Sequence, residues 1–255
     1  MYYPDLSIVH LRVATPERTQ ALESPAIGEV RAFTGRNHTV WAVQYDTGAI
    51  IEINRLNGEV RKLPVNVRAY GLDPNSYWLQ ILSHPVLPLL AVFGPDGFLV
   101  INSSTGEVKQ IDLGEDDTEA YRGKRWTIDA QWSPIREQLA LTIGVGEPVF
   151  RSTRLFFLDS ASGKISQIPM PISWITDMMW APDGDQLLIR GLPNAGAQEY
   201  YLVNPKIGSM VRVEGLPELE SAFSGRSTIR WSPDGSKLSW TFDNMLFLIP
   251  VTRNE

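Results

Sequence analysis

Two carboxylates, Asp129 and Asp177, occupy matching places in the chain. Each lies three residues before a tryptophan, Trp132 or Trp180, that leads into a proline-containing turn. A matched pair of acids can hold a cation or carry out general acid/base chemistry. Cleavage of a glycosidic bond needs two carboxyl groups roughly 5–10 Å apart. Arg230, one residue before Trp231, adds a cation in the corresponding stretch. The plainer reading of all three is that they line a wet channel or bond neighbouring backbone amides.

A second group is the loop 114–125, GEDDTEAYRGKR, in which Glu115, Asp116, Asp117 and Glu119 precede Arg122, Lys124 and Arg125. It lacks the alternating ligands of a calcium-binding loop. It reads as a solvated loop with internal charge pairing, or as a docking loop. Aromatic residues next to arginine make strong interface anchors. Tyr121, Arg122, Arg125 and Trp126 are therefore the expected contacts of a protein partner, although Trp126 also suits burial between sheets. His10, His38 and His84 are too dispersed for a metal triad. The absence of cysteine excludes disulfides, thiolate metal sites and cysteine nucleophiles. There is no phosphate-binding loop, dinucleotide fingerprint or nucleophile elbow. No catalytic residue, metal site or cofactor is expected.

The elements that would position these residues are repeated. Trp231-Ser232-Pro233-Asp234-Gly235 has a second copy in Trp180-Ala181-Pro182-Asp183-Gly184, a shortened one in Trp132-Ser133-Pro134 and a worn one in His84-Pro85. Proline sets φ for a tight turn, aspartate bonds its own backbone and glycine accepts positive φ. Gly58, Gly106, Gly163 and Gly208 mark a second series of turns, 48, 57 and 45 residues apart. Trp78, Trp126 and Trp174 are separated by 48 residues each. Alternating or apolar runs between these marks read as strands, and recurrence at this period implies a repeat architecture.

The expected fold is all-β: a five-bladed β-propeller of four-stranded antiparallel blades in a single domain, 1–255. The blades run over 27–63, 78–113, 126–168, 174–213 and 228–251. The last has only three strands, and residues 6–14 form a spare strand. The ring is therefore expected to close by the N-terminal strand completing the C-terminal blade, which removes exposed sheet edges. Residues 15–26 read as a loop, and no helix is predicted.

The W-(S/A)-P-D-G turn, followed by strands and a glycine turn, resembles the TolB-like (WD40-like, PD40) β-propeller repeat. The likeness runs from Trp78 onward and weakly from Ile27. It implies a propeller and, most often, a protein-interaction module. The motif residues are structural, so the resemblance transfers no active site.

Strand order places the long connections, 64–77, 114–125, 144–152, 191–198 and 214–226, at one end of the sheets. Loops on a rigid scaffold often carry function, so that end is the expected binding surface. A net charge of −6 argues against nonspecific nucleic-acid binding. No apolar run is long enough for a membrane span. Residues 1–5 lack the basic and apolar regions of a signal peptide, which implies a cytoplasmic chain if Met1 is the native start, or a periplasmic or extracellular one if the chain is trimmed. The leading expectation is a non-enzymatic propeller scaffold that binds a protein partner or joins a multisubunit complex. The alternative is a five-bladed glycan-active enzyme or carbohydrate-binding propeller, with a small ligand or glycan in the central channel near Asp129 and Asp177.

Overall fold

The computed structural model describes residues 11–14, 19–22, 30–34, 38–116, 123–124, 126–145, 152–193, 198–213, 228–242 and 245–251. The chain is all-β, and its sheets are antiparallel meanders in chain order. The first sheet contains Val30–Thr34, Thr39–Gln44, Ala49–Asn54 and Val60–Asn66; the second, Gln80–Ser83, Leu89–Gly94, Gly97–Asn102 and Val108–Gln110. The third contains Trp126–Trp132, Gln138–Val145, Ser152–Asp159 and Ile165–Ile168; the fourth, Trp174–Trp180, Leu187–Leu192, Glu199–Asn204 and Ser209–Arg212. The fifth has Thr228–Trp231, Lys237–Phe242 and Met245–Pro250. Repetition of this unit is the blade pattern of a β-propeller.

The chain gathers into two compact groups. One is Met1–His84 with Pro88–Asp112; the other is Pro85–Leu87 with Leu113–Glu255. In the first group, Trp41, Val43 and Ile50 of the first sheet share a core with Ile81, Leu90, Val92 and Leu99 of the second. The connection between them contains a 3-10 helix, Val67–Tyr70, where the sequence predicts only loop. Asn66 Oδ1 accepts from the Arg68 amide at 2.9 Å, and Gly71 ends the turn at φ 82°.

In the second group, the fourth sheet is packed on both faces. Leu187, Ile189, Tyr201 and Val203 join a core with Ala140, Leu155 and Phe157 of the third sheet. Leu188 and Tyr200 join another with Ile229 and Leu238 of the fifth. Burial on both faces explains why these strands read as continuous apolar runs rather than as alternation. Each fully buried Leu, Ile or Phe contributes about 1.5–3 kcal/mol.

The repeated tryptophans tie neighbouring sheets together. Trp180 Nε1 donates to the carbonyl of Gln131 at 2.8 Å, and Trp231 Nε1 donates to that of Met179 at 3.2 Å. Each acceptor is the residue just before the preceding sheet's motif tryptophan. The Trp180 ring also meets Phe157 edge-on at 5.6 Å.

The motif turn closes identically in all four copies. The amides of His84, Ser133, Ala181 and Ser232 each donate to the carbonyl five residues on, at 2.8 Å. The worn copy at His84 therefore keeps the backbone geometry of the full motif. In the full copy, Asp234 accepts from Ser232 Oγ at 2.5 Å, from the Ser236 amide at 3.0 Å and from Ser236 Oγ at 2.8 Å. The Ser232 hydroxyl leads these bonds in holding the Asp234 carboxyl down at about 2. This linkage favours folding above the ordinary value of 3.8 and is lost as pH falls through about 2.

Two expectations change. Residues 15–26 are not loop throughout, because Thr19–Leu22 is a strand that pairs antiparallel with Leu11–Ala14. The two strands register in full, Leu11 opposite Leu22 and Ala14 opposite Thr19, so the N-terminal strand is engaged in a hairpin. The fifth sheet has three strands among the described residues. The loop 114–125 likewise contains a short ladder of Glu115–Asp116 with Gly123–Lys124, in which Glu115 stands opposite Lys124.

Gly184 closes the fourth sheet's motif turn at φ +67°, and a Cβ there would stand 2.5 Å from Ser133 Oγ of the third sheet's turn. Both the left-handed backbone and the close approach require glycine. Gly184→Ala is expected to cost about 1–3 kcal/mol. Urea unfolding checks this: a lowered midpoint with an unchanged slope is expected, and an unchanged midpoint would contradict it.

Candidate functional site

The two matched carboxylates sit on matching irregularities. The ladder of the third sheet passes from Thr127↔Ile143 to Asp129↔Thr142, and that of the fourth from Ile175↔Gly191 to Asp177↔Arg190. One inner-strand residue is extra in each case, Ile128 and Thr176, which makes a one-residue bulge that re-aims the side chains beyond it. Asp129 Oδ1 accepts from the Ala130 amide at 2.8 Å, and Asp177 Oδ1 accepts from the Met178 amide at 2.9 Å. The bulges are themselves held: Thr142 Oγ1 donates to the Asp129 carbonyl at 3.4 Å and Thr176 Oγ1 to that of Arg190 at 3.2 Å.

The structure brings the two acids within electrostatic reach of each other. Loss of surrounding water pushes the Asp129 carboxyl up, the Ala130 amide opposes this, and the negative charge of Asp177 adds to it. The Asp129 residue as a whole touches solvent. Protein atoms nevertheless crowd its carboxyl, and the direction of the shift follows that local crowding.

Asp177 also faces Arg190 across the strand pair, with Arg190 Nη2 3.8 Å from Asp177 Oδ2. That separation is an electrostatic contact and too long for a hydrogen bond. The pair lines a small cleft between the fourth and fifth sheets, together with Met179, Leu188, Tyr200 and Ile229. The cleft has a free volume of about 10 Å³, room for about one water, and is open to solvent. Tyr200 is only 4% exposed, yet its hydroxyl has no hydrogen-bond partner among the described residues, and neither does Arg190 Nε.

Arg190 and Tyr200 are not among the residues singled out from sequence. The signal for Arg190 was one charge inside the apolar run Leu187–Leu192. Nothing local marked Tyr200. Arg230 donates from Nη1 to the neighbouring Ile229 carbonyl at 2.8 Å and forms no ion pair among the described residues. Of the expected partner contacts, Tyr121, Arg122 and Arg125 lie outside the described residues. Trp126 opens the inner strand of the third sheet, opposite Gly144. His10 also lies outside; His38 is exposed at φ 64°, and His84 is buried in its turn. No cluster of three or more His, Cys, Asp or Glu suited to a metal occurs among the described residues. No helix among them is long and apolar enough to cross a membrane.

Exposed aromatics stand where inner strands begin. Tyr77 and Trp78 precede the second sheet, meet edge-on at 5.3 Å and are 73% and 52% exposed. Trp174, at the matching position of the fourth sheet, is 38% exposed. A cavity of about 480 Å³ lies along the connection from the third to the fourth sheet, where Thr153, Arg154, Pro169, Met170 and Pro171 line it.

These repeated four-stranded antiparallel sheets and their turns have the architecture of a β-propeller. An oligogalacturonate lyase solved in complex with manganese is similar at 13% identity and TM-score 0.57, over 92% of this chain and 69% of that one. Dipeptidyl peptidase 4 of Porphyromonas gingivalis is similar at 10% identity and TM-score 0.59, over 90% of this chain and 40% of the peptidase. A TolB from Agrobacterium tumefaciens aligns at 12% identity and TM-score 0.49, over 92% of this chain and 77% of that one. Likeness at such identity shows the fold alone. No family model and no curated protein sequence matches the chain.

The raised Asp129 carboxyl has a stability consequence. A carboxyl that favours its neutral form in the folded state stabilises most below its unfolded value, and that contribution is lost as pH rises through the folded value. Asp129→Asn keeps an oxygen for the Ala130 amide and removes the charge. It is expected to raise stability at neutral pH, with the gain vanishing below the ordinary value of 3.8. Urea midpoints of both proteins at neutral and acid pH check this. A variant less stable at neutral pH would show that the ionised form is the favoured one.

Proposed function

We propose that this chain is a non-enzymatic β-propeller scaffold that binds a protein partner, or joins a larger complex, through the end of its sheets that carries the long connections. The observation that carries the reading is the exposure of Tyr77 and Trp78 just before the inner strand of the second sheet, and of Trp174 at the start of that of the fourth. Large rigid aromatics on a surface are the residue types that anchor interfaces. The cavity beside Met170 supplies concave relief along the connection that leads to Trp174. Tyr121, Arg122, Arg125 and Trp126 belong to the same proposed surface.

The proposal takes 1–255 as one propeller domain of five blades, closed by strand 6–14 against the last blade. Its support is the three-stranded fifth sheet and the 64% and 60% exposure of Leu246 and Leu248 on its outermost described strand.

Affinity capture from native lysate tests the scaffold reading, with wild type set beside Tyr77→Ala/Trp78→Ala and the fourfold alanine variant of Tyr121, Arg122, Arg125 and Trp126. Hot-spot losses of about 2 kcal/mol or more predict at least a tenfold loss of a stoichiometric partner in one variant. Undiminished capture by both folded variants would remove this surface from the role.

A second reading is favoured by the mutual influence of Asp129 and Asp177: a glycan-active or carbohydrate-binding propeller that uses the two carboxylates. Asp129→Asn/Asp177→Asn would then abolish glycan binding or cleavage in a carbohydrate screen. Retained activity would exclude the pair.

A further inference from the structure

We propose that the cleft between the fourth and fifth sheets is a carboxylate-recognition site, in which Arg190 and Tyr200 receive an acidic side chain presented by a protein partner. The side-on edge of a guanidinium, Nε with Nη2, is the fork that matches a carboxylate bidentately. In Arg190 that fork is open. Nε has no partner among the described residues, and Nη2 stands 3.8 Å from Asp177, beyond hydrogen-bond distance. Tyr200, which lines the same cleft at 4% exposure, carries a second donor, its hydroxyl, with no partner among the described residues.

Leaving a buried donor unbonded costs about 1–3 kcal/mol. Two such donors, on residues that line one opening, are groups that an incoming acceptor would bond. They come from different strands, set opposite each other by the register Arg190↔Tyr200. The apolar wall of Met179, Leu188 and Ile229 lowers the local polarity, which strengthens a charge-assisted bond.

Size and charge select the ligand. The inner space holds about one water, enough for one oxygen of a carboxylate whose remainder lies in the open mouth. A whole small molecule does not fit within it, whereas the tip of a side chain on a larger body does. Asp177 beside the fork disfavours a second negative charge, so the arrangement suits a single carboxylate better than a phosphate. The source of the carboxylate rests on the scaffold reading above; the fork itself does not.

The test follows the Arg190 Nε–Hε signal in ¹H–¹⁵N spectra of the full chain, assigned with Arg190→Lys. The probes are the blocked tripeptide Gly-Glu-Gly, its Gly-Gln-Gly counterpart and sodium acetate. The expected result is a saturable downfield shift with the glutamate peptide, none with the glutamine peptide, loss in Arg190→Lys and roughly fivefold weaker binding in Tyr200→Phe. Tyr200→Phe keeps the ring and its packing, so its result stands even if Arg190→Lys folds poorly. Acetate binding as tightly as the glutamate peptide supports the fork and overturns a partner side chain as the source. Equal shifts with both peptides, or an Nε–H in contact with water only, overturn the site. The titration needs no partner, so it can fail while capture through Tyr77 and Trp78 succeeds, and the reverse.

Discussion

The interaction on which the later sheets depend is the indole N–H of one sheet bonded to a backbone carbonyl of the sheet before it. Trp180 reaches Gln131, and Trp231 reaches Met179. The indole N–H, a donor that needs a partner when buried, finds one in that carbonyl while the ring fills the space between the sheets. One residue type therefore fixes both the spacing of adjacent sheets and their offset along the strands. The same offset brings the bulges at Asp129 and Asp177 to one level and sets the Asp177–Arg190 pair against Ile229.

The repeat was legible because turn chemistry is local. Gly58, Gly106, Gly163 and Gly208 fall at φ 75°, 78°, 76° and 66°, as a left-handed turn residue must. The structure adds the partner of each glycine. Asn54, Asn102, Asp159 and Asn204, each four residues earlier, accept the glycine amide on their carbonyl and a loop amide on their side chain. This Asx residue is as regular in the sequence as the glycine. It is easily overlooked because asparagine and aspartate are common in any turn. Degenerate copies such as His84-Pro85 keep the fold because the turn needs the backbone bond more than the Asp-Gly pair.

The candidate site was only half legible. The equal spacing of Asp129 and Asp177 before their tryptophans was visible, since both are fixed by one inner strand. The bulges were not, because an extra residue in one strand is defined only by its partner strand. Arg190 and Tyr200 belong to two further strands, and their convergence is a product of register. The hairpin of Leu11–Ala14 with Thr19–Leu22 was missed for a related reason: four-residue polar strands such as TQAL carry no pattern that separates them from loop.

The two ends of the sheets are built to opposite electrostatic specifications. At the tight-turn end, Asp234 is held ionised by hydroxyls and an amide, and Arg136 pairs with Asp185, which Lys206 also approaches at 3.1 Å. At the other end, Asp129 is pushed toward its neutral form, Thr127 Oγ1 is buried without a partner among the described residues, and the Arg190–Tyr200 donors are open. Saturated polar groups give rigidity, whereas frustrated ones are tolerated where a scaffold stabilises them and something else uses them. The separation is incomplete, since Gln186 Oε1 is also unpartnered beside the fourth sheet's turn. Even so, the frustration is densest beside the bulges, where the carboxylates, the open guanidinium fork and the starts of the inner strands meet. Turns closed by repeated backbone and Asx bonds can hold a charged cleft open without losing the sheets that frame it.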